Sequence, residues 1–109
     1  MKTKILSKDR EGIKIAATQL RLGKLVAFPT ETVYGLGANA YINEAIASIY
    51  EAKRRPSFNP LIVHFNCVND VKQHVIWNEW SEKLATTFWP GAITFILKRT
   101  KNSDLSVLV

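Results

Sequence analysis

A single cysteine, Cys67, among 109 residues excludes an internal disulfide, so packing and hydrogen bonds must hold this chain together. That scarcity suits a reducing compartment. No stretch approaches the roughly 18 apolar residues that a membrane span requires. Met1-Lys2-Thr3-Lys4-Ile5-Leu6 runs into charge without the apolar core of a secretion signal. A soluble, cytoplasmic protein with no membrane partner is therefore expected. Acidic residues are also few: nine Asp and Glu face fifteen Lys and Arg, leaving a net charge of +6. The excess favours polyanionic partners such as nucleotides or RNA, although a solvated basic surface has the same composition. No repeat or low-complexity tract is visible. The 47% of hydrophobic residues argues against disorder, and one globular domain at most is expected.

The periodicity alternates between helix and strand. Ile13, Ala16, Ala17 and Leu20 fall at helical spacing within Asp9 to Leu22, and Gly23 follows as a stop. Lys24 to Phe28 is a short apolar run that Pro29 ends, which predicts a buried strand, with a loop through the residues that follow. Asn43 can cap a second helix with Ala45, Ile46, Ile49 and Tyr50 on its apolar face. Leu61 to Phe65 predicts a second strand. Asn69 is the expected cap of a short helix through Val75. A further helix from Trp80 to Trp89 is expected to turn Leu84, Ala85 and Phe88 inward, and Ala92 to Leu97 predicts a third strand. Strands alternating with helices indicate an α/β sheet covered by helices. The apolar end, Asp104 to Val109, reads either as an edge strand or as a chain lacking its continuation.

Several familiar chemistries find no anchor. The G-x-x-x-x-G-K-[ST] phosphate loop is absent. Gly35-Leu36-Gly37-Ala38-Asn39-Ala40 fits the loose dinucleotide pattern, but it begins seven residues after the strand and Arg55 stands where an acid is needed. His64, Cys67 and His74 match no zinc-site spacing, so no metal site is expected. No Ser-His-Asp set carries recognisable flanking sequence.

Two stretches do concentrate chemistry. Pro29-Thr30-Glu31-Thr32-Val33-Tyr34-Gly35-Leu36-Gly37 sets hydroxyls, a carboxylate and two glycines directly after an apolar strand. Lys53-Arg54-Arg55-Pro56-Ser57-Phe58-Asn59-Pro60-Leu61 stacks three cations at a helix end, where they complement the helix dipole. Mutual repulsion among adjacent cations contributes nothing to folding, whereas a bound polyphosphate would convert it into attraction. Each stretch also has a plainer reading: a turn ordered by Thr hydroxyls, and a solvated basic turn with splayed side chains.

Together these residues resemble the YrdC family, the threonylcarbamoyl-adenylate synthases of tRNA modification. The likeness runs from about Gly12 to Arg99. Its carriers are Val26 to Ala40, Ala52 to Pro56, Asn59 to His64, and Trp89-Pro90-Gly91 with Thr94. Residues 1–109 would then form part of a YrdC-like domain, a twisted sheet flanked by helices that is incomplete here, because full-length members are much longer.

The resemblance implies an enzyme that combines L-threonine, bicarbonate and ATP into threonylcarbamoyl-AMP and pyrophosphate. A downstream transferase then passes the group to tRNA. Lys53 and Arg55 look like the family's cation pair on the ATP phosphates and the carboxylate intermediate. Asn59 is similarly placed to a nucleotide ligand, and Thr32 and His64 match positions that hold threonine. Magnesium would share the phosphate charge. Tyr34, Gly35 and Gly37 would shape the loop for close ligand approach. Ser57 receives no role, since the family's Ser-x-Asn element lies later in longer members. The alternatives are a double-stranded RNA-binding module that ignores threonine, a carbamoyl-transfer domain of the same fold, and an inert remnant.

Overall fold

Asp9 opens the first helix as its chemistry requires. Its carboxylate accepts the Gly12 amide at 2.9 Å and the Ser7 hydroxyl at 2.7 Å, satisfying one of the orphan donors of α1 (Arg10–Arg21). Those two bonds, the Gly12 amide first, hold the carboxyl below its ordinary pKa. The cap is therefore complete above the usual carboxylate range and is lost as acidification passes through the lowered value. Gly12 is required nearby, because a β-carbon there would meet the Ser7 carbonyl oxygen. Gly23 leaves the helix at φ 81°, a conformation that glycine adopts without strain.

The structure is a computed structural model that describes residues 2–56 and 59–109. Ser57 and Phe58 of the second motif lie outside the described residues, so the reading of Ser57 does too. By internal contacts the chain divides into two units. One is Met1–Asn59 with Ser106–Leu108, and the other is Pro60–Leu105 with Val109.

In the first unit, β1 (Val26–Phe28) pairs antiparallel with β2 (Gly35–Gly37), in the register Val26 to Gly37, Ala27 to Leu36 and Phe28 to Gly35. The expected loop is thus a hairpin whose return strand contains both glycines. Helix α2 (Asn43–Lys53) buries Ala45, Ile46 and Ile49 as its spacing predicts, with Tyr50 half-buried. Asn43 does not cap it. Ile42 holds the cap position without a side-chain bond, and Asn43 Oδ1 instead accepts the Ser106 hydroxyl at 2.6 Å. The Ser106 amide donates to the Ala40 carbonyl at 2.7 Å. The chain end is therefore a strap over the start of α2, not an edge strand.

In the second unit, α3 (Val68–Lys72) begins after Cys67, without the expected Asn69 cap. Asn78 caps α4 (Glu79–Phe88) by accepting the Ser81 amide at 2.9 Å. Of the three α4 residues expected inside, only Ala85 is buried; Leu84 and Phe88 are 42% and 47% exposed. The two further strands expected are not assigned. Residues 61–65 keep a strand's alternation, with Leu61, Val63 and Phe65 half-buried between exposed Ile62 and His64. Alternation alone makes no ladder, since each strand needs a neighbouring backbone. Around 92–97 the nearest pairing is one antiparallel bridge, Val75 to Arg99, with the Ile76 amide on the Lys98 carbonyl at 2.8 Å. The α/β class holds, with four helices and one two-stranded sheet among the described residues.

Helix α2 ends on Arg54 at φ 50°, the one described non-glycine residue in the left-handed region. That conformation costs an L-residue with a side chain roughly 1–2 kcal/mol. Arg54→Gly should therefore raise stability by about 1 kcal/mol, read as a higher thermal midpoint by circular dichroism. An unchanged or lowered midpoint would mean that this turn is not left-handed in solution.

Candidate functional site

The hydroxyl-rich motif is the tip of the β1–β2 hairpin, and Thr30 organises it. The Thr30 hydroxyl donates to the Val33 carbonyl and accepts the Thr32 amide at 3.2 Å. Its single proton is thereby committed, so the 3.4 Å contact between the two threonine hydroxyls uses the proton of Thr32. Thr30 is the bolt of the turn. Thr32 is exposed and keeps both acceptor lone pairs available. Val33 and Tyr34 are also open to solvent, at 74% and 75% exposure.

Of the glycines of this motif, Gly37 has a packing role inside the hairpin. A β-carbon at Gly37 would lie 2.4 Å from the Phe28 ring, and one at Gly35 would lie 3.4 Å from the Thr30 methyl. Neither has a positive φ. Phe28 thus lies over β2 only because its neighbours there are bare backbone.

The cationic motif closes as a Schellman turn. With Arg54 left-handed, its amide donates to the Glu51 carbonyl at 3.2 Å and the Arg55 amide to the Tyr50 carbonyl at 2.9 Å. The turn brings Arg55 and Asn59 together. The Arg55 Nε donates to the Asn59 carbonyl at 3.3 Å, and the Tyr50 hydroxyl donates to the same oxygen at 2.9 Å. The Asn59 amide in turn donates to the Pro56 carbonyl at 3.0 Å. One further contact joins the strap, since the Tyr50 hydroxyl also lies 3.1 Å from the Leu108 carbonyl. With one proton, Tyr50 shares it between the two oxygens. Sequence spacing gave no sign of Tyr50 as an organiser of this turn.

Lys53, the last residue of α2, is exposed and forms no ion pair with any described residue. Arg55 is half-buried. Arg55 adds a planar guanidinium held at Nε, two residues after the compact ammonium of Lys53. That set is suited to a polyanion.

His64 belongs to the second unit, on the exposed side of the 61–65 alternation. The other histidine forms a group that the sequence did not reveal. His74 is buried, stacks on Phe65 at 5.6 Å, and meets the Ser103 hydroxyl at 2.8 Å through Nδ1. The Asp104 carboxylate approaches that same nitrogen at 3.8 Å. A catalytic triad needs hydroxyl and carboxylate on opposite ring nitrogens, so this set ties the 99–105 turn down instead of activating Ser103. Among the described residues no three His, Cys, Asp or Glu groups gather as a metal site. Among the described residues no helix is long and apolar enough to cross a membrane.

Comparison with known proteins gives these motifs a context. The family model for Sua5, YciO and YrdC proteins, described as telomere recombination, matches residues 18–109. The threonylcarbamoyl-AMP synthase of Pyrococcus abyssi is 50% identical over 92 residues, 82% of this chain and 26% of that protein. A solved structure of a double variant of P. abyssi Sua5 matches with a TM-score of 0.85 at 44% identity, over 92% of this chain and 30% of that one. The structure of P. abyssi Sua5 complexed with L-threonine matches with a TM-score of 0.73 at 51% identity, over 76% of this chain and 25% of that one. The chain thus spans about a quarter of the length of the curated relative it matches.

The two threonines should separate by experiment. Thr30→Val should speed amide exchange at Thr32 and Val33, because the turn loses its acceptor. Thr32→Val should leave exchange there unchanged within about twofold. Equal acceleration in both variants would contradict the division of labour.

Proposed function

Because this chain belongs to the Sua5/YciO/YrdC family, we propose that it carries a nucleotide- and threonine-contacting portion of a threonylcarbamoyl-AMP synthase. In that reading residues 1–109 are part of one domain. The reaction joins L-threonine, bicarbonate and ATP, releases pyrophosphate, and supplies an activated group for tRNA modification by a downstream transferase. The observation that carries the reading is the closed turn that follows Lys53 at the end of α2 and sets the Arg55 guanidinium on the Asn59 carbonyl.

The chemistry explains why such a turn is needed. The threonine amine first condenses with bicarbonate; water leaves as the N–C bond forms, giving a carbamate. One of its oxygens then attacks the α-phosphorus of ATP, forming the acyl–phosphate bond as the bond to pyrophosphate breaks. Two anions must approach each other, so fixed cations lower the barrier more than any proton transfer could. Lys53 neutralises phosphate charge as a point cation. Arg55, a planar guanidinium positioned through its Nε, adds fixed positive charge for phosphate or carboxylate. Asn59 contacts the nucleotide. Thr32, with open lone pairs, is a candidate threonine contact of the first unit, and His64 is separately a candidate threonine contact of the second; the L-threonine complex of the P. abyssi relative supports that substrate. Magnesium would arrive with the ATP triphosphate as part of the substrate. There it would spread phosphate charge. The +6 charge supports tRNA or another RNA duplex as a polyanionic partner, and the single cysteine supports a cytoplasmic setting.

Because the chain matches only 26% of its relative, isolated residues 1–109 should bind ATP weakly and release no threonine-dependent pyrophosphate. Lys53→Ala should abolish the residual ATP binding seen by calorimetry, and Ser57→Ala should leave it unchanged. Turnover at an ordinary enzymatic rate by the purified chain would overturn the first expectation. Equal losses in the two variants would overturn the assignment of Lys53.

A further inference from the structure

Residues 50, 55 and 59, all within the first unit, close on one another, and Tyr50 contributes at both of its ends. Its carbonyl accepts the Arg55 amide at 2.9 Å, and its hydroxyl donates to the Asn59 carbonyl at 2.9 Å. The Arg55 Nε completes the set by donating to that same Asn59 oxygen at 3.3 Å. A carbonyl oxygen has two acceptor lone pairs, so the phenol and the guanidinium can bind it together. The phenol bond is the shorter of the two. It also comes from the stiffer side chain, since a tyrosine has fewer torsions to fix than an arginine.

Packing does not call for that hydroxyl. Ala45, Ile46 and Ile49 form the buried face of α2, and a half-buried ring at position 50 would extend it equally well without an oxygen. What the oxygen adds is a fixed place for the Asn59 carbonyl. Fixing that carbonyl fixes the acceptor on which the Arg55 Nε rests. A residue inside α2 thus reaches forward to set a cation beyond the helix end, whereas Lys53 takes its place from the helix itself. An arginine loses side-chain freedom when it takes up an anion, and freedom removed beforehand no longer opposes binding.

The hydroxyl also lies 3.1 Å from the Leu108 carbonyl, which offers it a rival role in tying down the strap. The strap has anchors of its own. The Ser106 hydroxyl bonds Asn43, the Ser106 amide bonds the Ala40 carbonyl, and the Leu108 amide donates to the Ser106 hydroxyl at 3.1 Å. We propose that Tyr50 is a positioning residue for anion binding at the turn after α2. Its hydroxyl sets the Arg55 guanidinium through the Asn59 carbonyl, without itself touching the ligand. This role rests on the reading of the turn as a phosphate site, and it adds the residue that prepares the site.

The test uses the 109-residue chain, its variants Tyr50→Phe and Arg55→Lys, and the two combined, with inorganic pyrophosphate as the probe. In Tyr50→Phe, exchange of the Arg55 Nε proton with solvent should speed by about fivefold in nitrogen-15 spectra, because its acceptor is loosened. Pyrophosphate affinity, read by titration of amide shifts, should fall about fivefold in Tyr50→Phe; in the Arg55→Lys background, which keeps the charge but lacks the Nε donor, the same change should cost less than about twofold. Equal weakening in both backgrounds would mark a general structural loss and overturn the proposal. Unchanged or slowed exchange at Nε would overturn it too, since the phenol would then compete with Arg55 instead of supporting it. So would acceleration confined to the amides of Ser106 and Leu108, because the hydroxyl would then serve the strap. The exchange measurement needs no ligand. If the unaltered chain failed to bind pyrophosphate, the synthase reading would lose its anion site, and exchange at Nε would still decide the role of Tyr50.

Discussion

The Asn59 carbonyl is the point on which the first unit's chemistry converges. Two donors from different parts of the sequence reach it, the Tyr50 hydroxyl from within α2 and the Arg55 guanidinium from beyond it. Neither could do so if α2 continued. The left-handed Arg54 reverses the chain, the Schellman bonds fix that reversal, and the cations are thereby delivered beside a defined turn. Each hydrogen bond contributes only about 1 kcal/mol to net stability, so the set matters chiefly for position. A guanidinium held through one nitrogen has lost much of its rotamer freedom before any anion arrives.

The strap extends this arrangement. Ser106 binds the start of α2 through Asn43 and Ala40, and Leu108 reaches the Tyr50 hydroxyl near its end. A segment close to the end of the sequence is thus anchored along the helix that carries Lys53. The second unit is held differently, by ring stacking among Trp77, Trp89 and Phe95 and by the buried His74 contact with Ser103. Its larger apolar side chains face outward along α4, so its packing is least complete where a further layer would lie.

Much of this was legible in the residues and some was not, for physical reasons. Asp9 with Gly23, and Ala45-Ile46-Ile49, announce α1 and the inner face of α2 because caps and periodicity are local properties. Cap competition is not local: Asn43 was the natural cap for α2, but Ser106, sixty-three positions away, takes its side chain. The same holds for His74 and Ser103, which are 29 positions apart. Leu84 and Phe88 were read inward from a pattern that is correct for a covered helix, and the described residues do not cover that face. Gly37 also makes room for the Phe28 ring, a packing need that the motif does not announce. The motifs of the candidate site were visible throughout. Tyr50 was not, because a half-buried aromatic on a helix reads first as core.

The central claim is that the turn after α2 is built to receive a polyphosphate, and its most direct test is a nitrogen-15 amide titration of this chain with inorganic pyrophosphate. The account predicts saturable shifts centred on Lys53, Arg54, Arg55 and Asn59, weakening as salt is raised. Shifts centred instead on the other basic cluster, Lys98, Arg99 and Lys101, with residues 53–59 unmoved, would contradict it.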